Sequence, residues 1–216
     1  RLQGPNEVTE ILYTSGTTGE SKGVMHTANT LIGNLVEFAG RLNLSEKDVV
    51  LMASPMANQT GFLYGMVMPI MLKAKMVLQD VWAADQAAQR IQDEGCTFTM
   101  AATPFLIDLT DLATLDKFDI SSLRLFACGG APVPEALVPH AAKRLGCSIM
   151  AAWGMTENGA VTITKPGDPA DKVFGTDGCA LPGTQVRVVS PDGKECPRGV
   201  EGDLQMRGAS LFVSYL

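Results

Sequence analysis

Eleven consecutive residues near the start of the chain combine the groups that proteins use to bind phosphate. The run holds five serine or threonine hydroxyls, three glycines and one lysine, and it follows an apolar stretch that includes Val8 and Leu12. Glycines let backbone N–H groups approach an anion, hydroxyls donate further hydrogen bonds, and lysine supplies a mobile positive charge. The residues are Tyr13, Thr14, Ser15, Gly16, Thr17, Thr18, Gly19, Glu20, Ser21, Lys22 and Gly23. This combination predicts a loop that holds a phosphate group.

Two alternatives to this phosphate loop are a Walker-type loop and an ordinary surface turn. A Walker loop needs a second glycine and a magnesium-binding hydroxyl at fixed spacing. Counting from Gly16, these two places hold Ser21 and Gly23, so a P-loop-type phosphohydrolase is the least favoured function. A surface turn accounts for any two or three of these residues but not for the whole string.

Composition narrows the class of protein. The chain has 216 residues, of which 46% are hydrophobic, enough to bury a sizeable core. Its net charge of −6 disfavours a nucleic-acid surface, which normally carries a basic face. Five scattered cysteines form no metal or disulfide pattern and indicate a reducing, cytoplasmic setting. No apolar run reaches the roughly 18 residues of a membrane span.

Short β-rich runs alternate with helical patterns along most of the chain, which is typical of a mostly parallel sheet flanked by helices. The predicted strands of this α/β body are Val8–Tyr13, Val49–Ser54, Lys75–Leu78, Phe98–Ala102, Arg124–Cys128 and Ser148–Trp153. The predicted helices are one that includes Leu31 to Leu42, and Gly61–Leu72, Ala83–Glu94, Pro104–Leu115 and Pro134–Leu145. Further strands are predicted at Val161–Thr164, Gln185–Val189 and Gly202–Met206. We therefore expect an α/β body over 1–165 and a β-rich segment of the same large domain over 166–216.

Two more loops at predicted strand ends have unusual chemistry, at the place where open α/β sheets bind their ligands. Segment 128–134, Cys-Gly-Gly-Ala-Pro-Val-Pro, offers bare amides and a flat surface, although alone it would be an ordinary strand-to-helix turn. Segment 153–157 is Trp-Gly-Met-Thr-Glu. Trp153 could stack on a purine, Thr156 could bond a phosphate oxygen and Glu157 could hold Mg²⁺. Taken separately, Trp153 would be a core residue and Glu157 part of a first helical turn.

Together, the three loops resemble those of the adenylate-forming acyl-CoA synthetases, a superfamily that includes luciferases and the adenylation domains of peptide synthetases. The resemblance continues in segments 175–178, 182–183 and 202–208, and so runs from about Glu7 to the C-terminus. Segment 54–61 with 152–154 is similar to ligases of cyclohexanecarboxylate and related acids. The resemblance implies that a hydrophobic carboxylate attacks ATP to give acyl-AMP and pyrophosphate, and that the thiol of CoA then displaces AMP.

The resemblance also implies a role for each site residue. Lys22, Thr156 and Glu157 would be catalytic, with Glu157 as the Mg²⁺ ligand. The acyl group would lie against Asn58, Gly61, Gly129 and Gly154. The nucleotide would contact Thr14, Ser15, Gly16, Thr17, Thr18, Gly19, Lys22, Gly130, Ala131, Pro132, Trp153, Gly154, Met155 and Thr156.

Two positions depart from the pattern of the family that the chain resembles. Ser21 replaces the proline that usually precedes Lys22, so a fixed backbone angle is lost. Asn58 stands where many relatives carry a histidine or an aromatic residue, and an amide cannot take up charge near neutral pH. Neither of the two histidines, His26 and His140, has a partner arrangement typical of catalysis.

The resemblance further implies that the chain is one piece of a longer protein. The ribose-binding residues and a lysine of a small C-terminal domain normally follow the last residue present here. That domain is therefore an expected partner within the same chain, and we expect the piece alone not to turn over. A nucleotide-binding module without activity of its own is the alternative.

Overall fold

The computed structural model describes residues 3–14 and 19–216. The strands are β1 (Val8–Tyr13), β2 (Gly23–Thr27), β3 (Val49–Met52), β4 (Lys75–Leu78), β5 (Phe98–Ala101), β6 (Leu125–Gly129), β7 (Ser148–Met155), β8 (Gly159–Ile163), β9 (Cys179–Ala180), β10 (Gln185–Val189), β11 (Asp203–Arg207) and β12 (Ser214–Tyr215). The helices are α1 (Ala28–Leu42), α2 (Met68–Leu72), α3 (Ala84–Glu94), α4 (Thr103–Thr110), α5 (Leu137–Leu145) and α6 (Ala170–Gly175). A π-helix spans Thr60–Val67 and a 3₁₀-helix spans Leu115–Lys117.

A seven-stranded sheet forms the centre of the molecule and confirms the predicted α/β architecture. Its strand order is β4-β3-β5-β6-β7-β8-β9. The five strands β4, β3, β5, β6 and β7 are parallel to one another. Strand β8 runs antiparallel to both of its neighbours, β7 and β9. The parallel strands are short apolar runs because helices cover both of their faces.

Two apolar clusters pack on opposite faces of this sheet. On one face, Phe38 of α1 and Tyr64 of the π-helix pack against Phe98 of β5. On the other face, α3, α4 and α5 contribute a second cluster that includes Ile91 and Leu106. The central strands of the sheet are therefore buried on both sides.

The first predicted strand does not belong to this sheet, so that part of the prediction is wrong. β1 pairs antiparallel with β2, which was not predicted, and β2 also pairs with β12. Alternate residues of β1 are half-buried and exposed, the pattern of an antiparallel strand with one face towards solvent. The loop after Tyr13 is consequently a hairpin loop.

Other differences concern boundaries and the last part of the chain. The predicted helix over 61–72 is a π-helix followed by α2, and the helix predicted over 104–115 ends at Thr110. The strand predicted over 161–164 is β8, which lies inside the large sheet. Segment 166–216 contains β9 to β12 and one short helix, and is β-rich as predicted. Among the described residues, the helices are too short or too polar to cross a bilayer.

Candidate active site

A cavity of about 750 Å³ lies at the carboxyl ends of the parallel strands. It receives residues that follow β3, β5 and β6, the end of β7, and the hairpin between β1 and β2. The lining residues are Thr14, Gly19, Glu20, Lys22, Ser54, Pro55, Asn58, Gln59, Thr60, Tyr64, Met100, Ala102, Phe105, Gly129, Gly130, Ala152, Trp153, Gly154, Met155, Thr156, Glu157, Gly159, Ala160 and Tyr215. The three loops singled out from the sequence therefore share one cleft.

The hydroxyl-rich loop connects β1 to β2 and is closed at its base by backbone hydrogen bonds. The N–H of Thr14 donates to the carbonyl of Lys22 at 3.0 Å, beside the paired residues Tyr13 and Gly23. Thr14, Gly19 and Lys22 line the cavity. Four candidates of this loop, Ser15, Gly16, Thr17 and Thr18, lie outside the described residues.

The glycine-rich loop leaves β6 and reaches the cavity with only part of its length. Gly129 and Gly130 line the cavity. Gly130 has a φ of +83°, a backbone conformation that residues other than glycine rarely adopt. Ala131 and Pro132 do not line it in the described structure. Their carbonyls accept hydrogen bonds from the Thr103 hydroxyl at 3.4 and 3.0 Å, which fixes the loop to the start of α4.

The third segment differs from the predicted loop because β7 continues through Met155. Trp153 and Gly154 lie at a register shift in the pairing of β7 with β8, and both line the cavity. A Cβ on Gly154 would lie 2.0 Å from the carbonyl oxygen of Gly159, so no larger residue fits this close approach. Glu157 follows in the tight turn between the two strands, and the alternative that it begins a helix is wrong.

Glu157 is the carboxylate that the turn presents to the cavity, and it has one described side-chain partner. The hydroxyl of Tyr215 donates to Glu157 Oε1 at 2.8 Å, and this bond, with some burial, raises the pKa of Tyr215. The ammonium of Lys22 lies 5.0 Å from the centre of the same tyrosine ring. Tyr215 thus contacts both Lys22 and Glu157, a link that the sequence did not indicate.

Three buried polar residues behind this turn also escaped the sequence interpretation. His26 is 1% exposed, and its Nε2 lies 2.8 Å from the Thr156 carbonyl. Asn34 donates to the carbonyl of Ala160 at 2.7 Å and accepts from the hydroxyl of Tyr64 at 2.7 Å. Such residues could be suspected from polar side chains at inward positions of apolar elements, but each has a partner that lies more than 90 residues away in sequence.

The region predicted to hold the acyl group has a polar rim and an apolar wall. Asn58 lines the cavity, and its Oδ1 accepts a hydrogen bond from the N–H of Gly61 at 2.9 Å. Gly61 is buried at the start of the π-helix, does not line the described cavity, and packs where a Cβ would be 2.1 Å from Pro55 O. The apolar wall includes Met100, Phe105 and Ala152.

The side chains that line the cavity could hold a metal ion only together with oxygen atoms from a bound substrate. Within residues 3–14 and 19–216, no group of three or more histidine, cysteine, aspartate or glutamate side chains could hold an ion by itself. Glu157 offers a single carboxylate beside open space. Mg²⁺ is commonly bound by one or two carboxylates together with substrate phosphates and water, so Glu157 fits that arrangement.

Comparison with known proteins gives consistent matches over the whole chain. Residues 2–216 match the model of the AMP-binding enzyme family. The medium-chain fatty-acid–CoA ligase of Escherichia coli (strain K12) is 34% identical over 210 residues, which cover 97% of this chain and 37% of that protein. The indoleacetate–CoA ligase of Aromatoleum aromaticum is 30% identical, over 98% of this chain and 41% of that protein.

Solved structures show the same correspondence. The crystal structure of ATP-bound MatB from Rhodopseudomonas palustris superposes with a TM-score of 0.90 at 30% identity. The match covers 99% of this chain and 42% of MatB. The chain therefore spans about two fifths of the length of these relatives.

Proposed function

This chain belongs to the AMP-binding enzyme family, and we propose that the full-length protein is an acyl-CoA ligase. It would use ATP to activate a hydrophobic carboxylic acid as acyl-AMP and would then transfer the acyl group to CoA. One observation carries the proposal: Lys22 and the segment from Trp153 to Glu157, which are far apart in sequence, line a single cavity at the carboxyl ends of the strands. Ligands of open α/β sheets bind at this edge.

The first step brings two anions together, so the site must neutralise charge and align the reacting atoms. A carboxylate oxygen attacks the α-phosphorus of ATP, the bond to the β-phosphate oxygen breaks, and pyrophosphate leaves. Lys22 and the N–H groups of the hairpin loop would hold the leaving phosphates, and the Thr156 hydroxyl would donate to the α-phosphate. Lys22 is exposed at the cavity rim, where its flexible side chain can follow the leaving group.

Glu157 would hold Mg²⁺ together with the phosphates of ATP. When bound there, the ion supplies positive charge that stabilises the polyphosphate oxygens. The Tyr215 hydroxyl donates to Glu157 Oε1 in this structure and would give up that oxygen when ATP and Mg²⁺ bind.

The purine and the acyl group would take different parts of the cavity. Trp153 offers an aromatic face for the purine, and Gly130 allows a close approach of backbone. Ala131 and Pro132 remain predicted nucleotide contacts, although neither lines the described cavity. Gly129, Gly154 and Asn58 would border the acyl group near the apolar wall of Met100 and Phe105. Gly61 would act behind them by fixing Asn58.

A hydrophobic acid of small or medium size fits this environment best. Apolar and aromatic side chains line much of the cavity, and binding sites for apolar ligands have this composition. The similar ligases act, as their names state, on medium-chain fatty acids and on indoleacetate. In the second step the CoA sulfur attacks the acyl carbon, the bond to AMP breaks, and the thiol proton is lost.

The remaining three fifths of such a protein would complete the catalytic site. We infer that a small C-terminal domain of the same polypeptide supplies further groups around the α-phosphate, and that residues 1–216 alone do not turn over. The matched share of 37% to 42% of the relatives supports this inference.

ATP–pyrophosphate exchange by the full-length protein across a panel of carboxylic acids tests the proposal. We expect exchange that depends on a hydrophobic acid and on Mg²⁺, followed by thioester formation when CoA is added. Nucleotide binding by calorimetry without exchange would instead indicate a binding module. Release of inorganic phosphate in place of pyrophosphate would indicate a phosphohydrolase.

A further inference from the structure

The turn that carries Thr156 and Glu157 is held through its backbone by three separate parts of the chain. The carbonyl of Thr156 accepts from His26 at 2.8 Å, and the carbonyl of Glu157 accepts from the N–H of Phe212 at 2.8 Å. The carbonyl of Asn158 accepts from the Asn34 side chain at 3.1 Å. Three consecutive carbonyls in a turn therefore have three partners that are remote in sequence, and we call residues 156–158 the anchored turn.

His26 is the member of this set that joins the anchored turn to the lysine loop. It lies on β2, four residues after Lys22, and β2 is the strand that closes the loop at Gly23. A displacement of the imidazole would therefore change the distance between Lys22 and the Thr156–Glu157 pair. Asn34 and Phe212 lie on other elements and fix the anchored turn to α1 and to the segment before β12.

The partners of the imidazole determine how it is held. Nε2 faces a carbonyl, which only accepts, so Nε2 carries the proton. Nδ1 lies 2.9 Å from the hydroxyl of Thr30, which also belongs to the cap of α1. With both ring nitrogens bonded and the side chain 1% exposed, the ring has one orientation. Burial lowers the pKa of His26, and its hydrogen bond to Thr156 and the charge of Glu157 oppose that effect only in part.

We propose that His26 is a positioning residue that sets the distance between the phosphate-binding lysine loop and the anchored turn. This proposal rests on the acyl-CoA ligase function described above. His26 does not line the described cavity and touches no reacting atom, so it acts through Thr156 and Glu157. Small displacements of positioned groups reduce rates by orders of magnitude, and the loss should fall on the steps that use the phosphates.

Three variants of the full-length protein separate positioning from simple stability. His26→Leu removes both hydrogen bonds of the imidazole. His26→Gln can place an amide N–H near the position of Nε2. The asparagine of His26→Asn is one methylene shorter than glutamine, so its amide does not reach that position. For His26→Leu we expect exchange to slow by about tenfold and the half-saturating Mg²⁺ concentration to rise, with the KM for the carboxylate unchanged. His26→Gln should recover most of the rate, whereas His26→Asn should not. His140→Leu, at an exposed histidine, is the control and should match the wild type.

Hydrogen–deuterium exchange provides a second measurement that does not depend on activity. The amides of Met155, Asn158 and Phe212 donate hydrogen bonds within or to the anchored turn. They should exchange faster in His26→Leu and His26→Asn than in His26→Gln. Unchanged protection of these amides would overturn the proposal. A KM for the carboxylate that rises as much as the half-saturating Mg²⁺ concentration would overturn it too. If the wild type exchanges no pyrophosphate, the ligase function fails, while the amide measurement still decides what His26 holds.

Discussion

The two ends of the parallel strands carry similar residue types but arrange them differently. At the amino ends of β3, β5 and β6, Asp48, Thr97 and Arg124 bond to one another. Asp48 Oδ1 accepts from the Thr97 hydroxyl at 2.7 Å and from the Arg124 guanidinium at 2.8 and 3.0 Å, while Oδ2 accepts from the N–H of Ser45 at 2.8 Å. This carboxylate is 5% exposed, and its partners belong to the protein itself.

At the carboxyl ends, the side chains are left available to a ligand. Lys22 has an aromatic ring as its described contact, and the Thr156 hydroxyl has no hydrogen-bond partner among residues 3–14 and 19–216. The three backbone carbonyls of the anchored turn, by contrast, all accept hydrogen bonds from remote parts of the chain. The difference teaches that the amino edge uses its polar groups for stability, whereas the carboxyl edge fixes its backbone and leaves Lys22 and Thr156 facing the cavity.

Removing the lysine at the carboxyl edge should have the largest effect. In full-length protein, Lys22→Ala should slow ATP–pyrophosphate exchange by roughly 10²- to 10³-fold, because the change removes the charge that is proposed to stabilise the leaving phosphates. The melting temperature should barely change, since Lys22 is exposed. Lys47→Ala, at an exposed lysine outside the cavity, is the matched control. An unchanged exchange rate in Lys22→Ala would remove this residue from the mechanism.

Breaking the amino edge should affect stability and leave chemistry intact. Asp48→Ala leaves the Thr97 hydroxyl and the Arg124 guanidinium without their acceptor. We expect the free energy of unfolding to fall by about 2 kcal/mol, less than for a fully buried pair because the Arg124 side chain is 40% exposed. Urea denaturation measures this change, and exchange per folded molecule should match the wild type. Asp80→Ala, at an exposed aspartate, is the control, and equal destabilisation there would contradict the assignment.

The same contrast predicts a pH dependence of stability at the amino edge. Burial raises the pKa of Asp48, but hydrogen bonds from Thr97, Ser45 and Arg124 and the arginine charge outweigh it and hold that pKa below its usual value. A lowered folded-state pKa contributes stability above the unfolded value of about 3.8 and loses it as the pH falls through the folded value. The stability gap between the wild type and Asp48→Ala should therefore be constant near neutral pH and shrink in acid. A gap that grows in acid would show that the sign is wrong.

The sequence predicts the parts of each edge that depend on neighbouring residues better than the parts that depend on residues far apart in the chain. The positions of Gly129 and Trp153 at the cavity were predictable because a glycine pair and an aromatic residue near strand ends are local signals. β1 was placed in the wrong sheet because its pairing with β2 depends on a loop whose path the local sequence does not specify. His26 bonds a residue 130 positions away, so only the folded chain shows its partner. The roles of the site residues, including those of segment 15–18, and the domain boundary at residue 165 stay predictions.

The smallest predicted effect concerns Tyr215, where the carboxyl edge has one internal side-chain bond. Tyr215→Phe removes the hydroxyl that donates to Glu157 Oε1 but keeps the ring, which packs 4.7 Å from Phe212 and 5.0 Å from the Lys22 ammonium. Because the hydroxyl and Mg²⁺ would share one carboxylate, we expect the half-saturating Mg²⁺ concentration for exchange to fall by about two- to fivefold. The bond is largely exposed, so stability should change little.

A Mg²⁺ titration of exchange activity at fixed ATP measures this effect, with Tyr13→Phe as the control because that tyrosine is exposed and does not line the described cavity. A rise in the required Mg²⁺ would mean that Tyr215 orients Glu157 for the metal instead of competing with it. In that case the carboxyl edge would resemble the amino edge more closely, because one of its side-chain bonds would then persist in the working site. A fall in the required Mg²⁺ would mean that the Tyr215 hydroxyl occupies the carboxylate in the empty site and leaves it when ATP and Mg²⁺ bind.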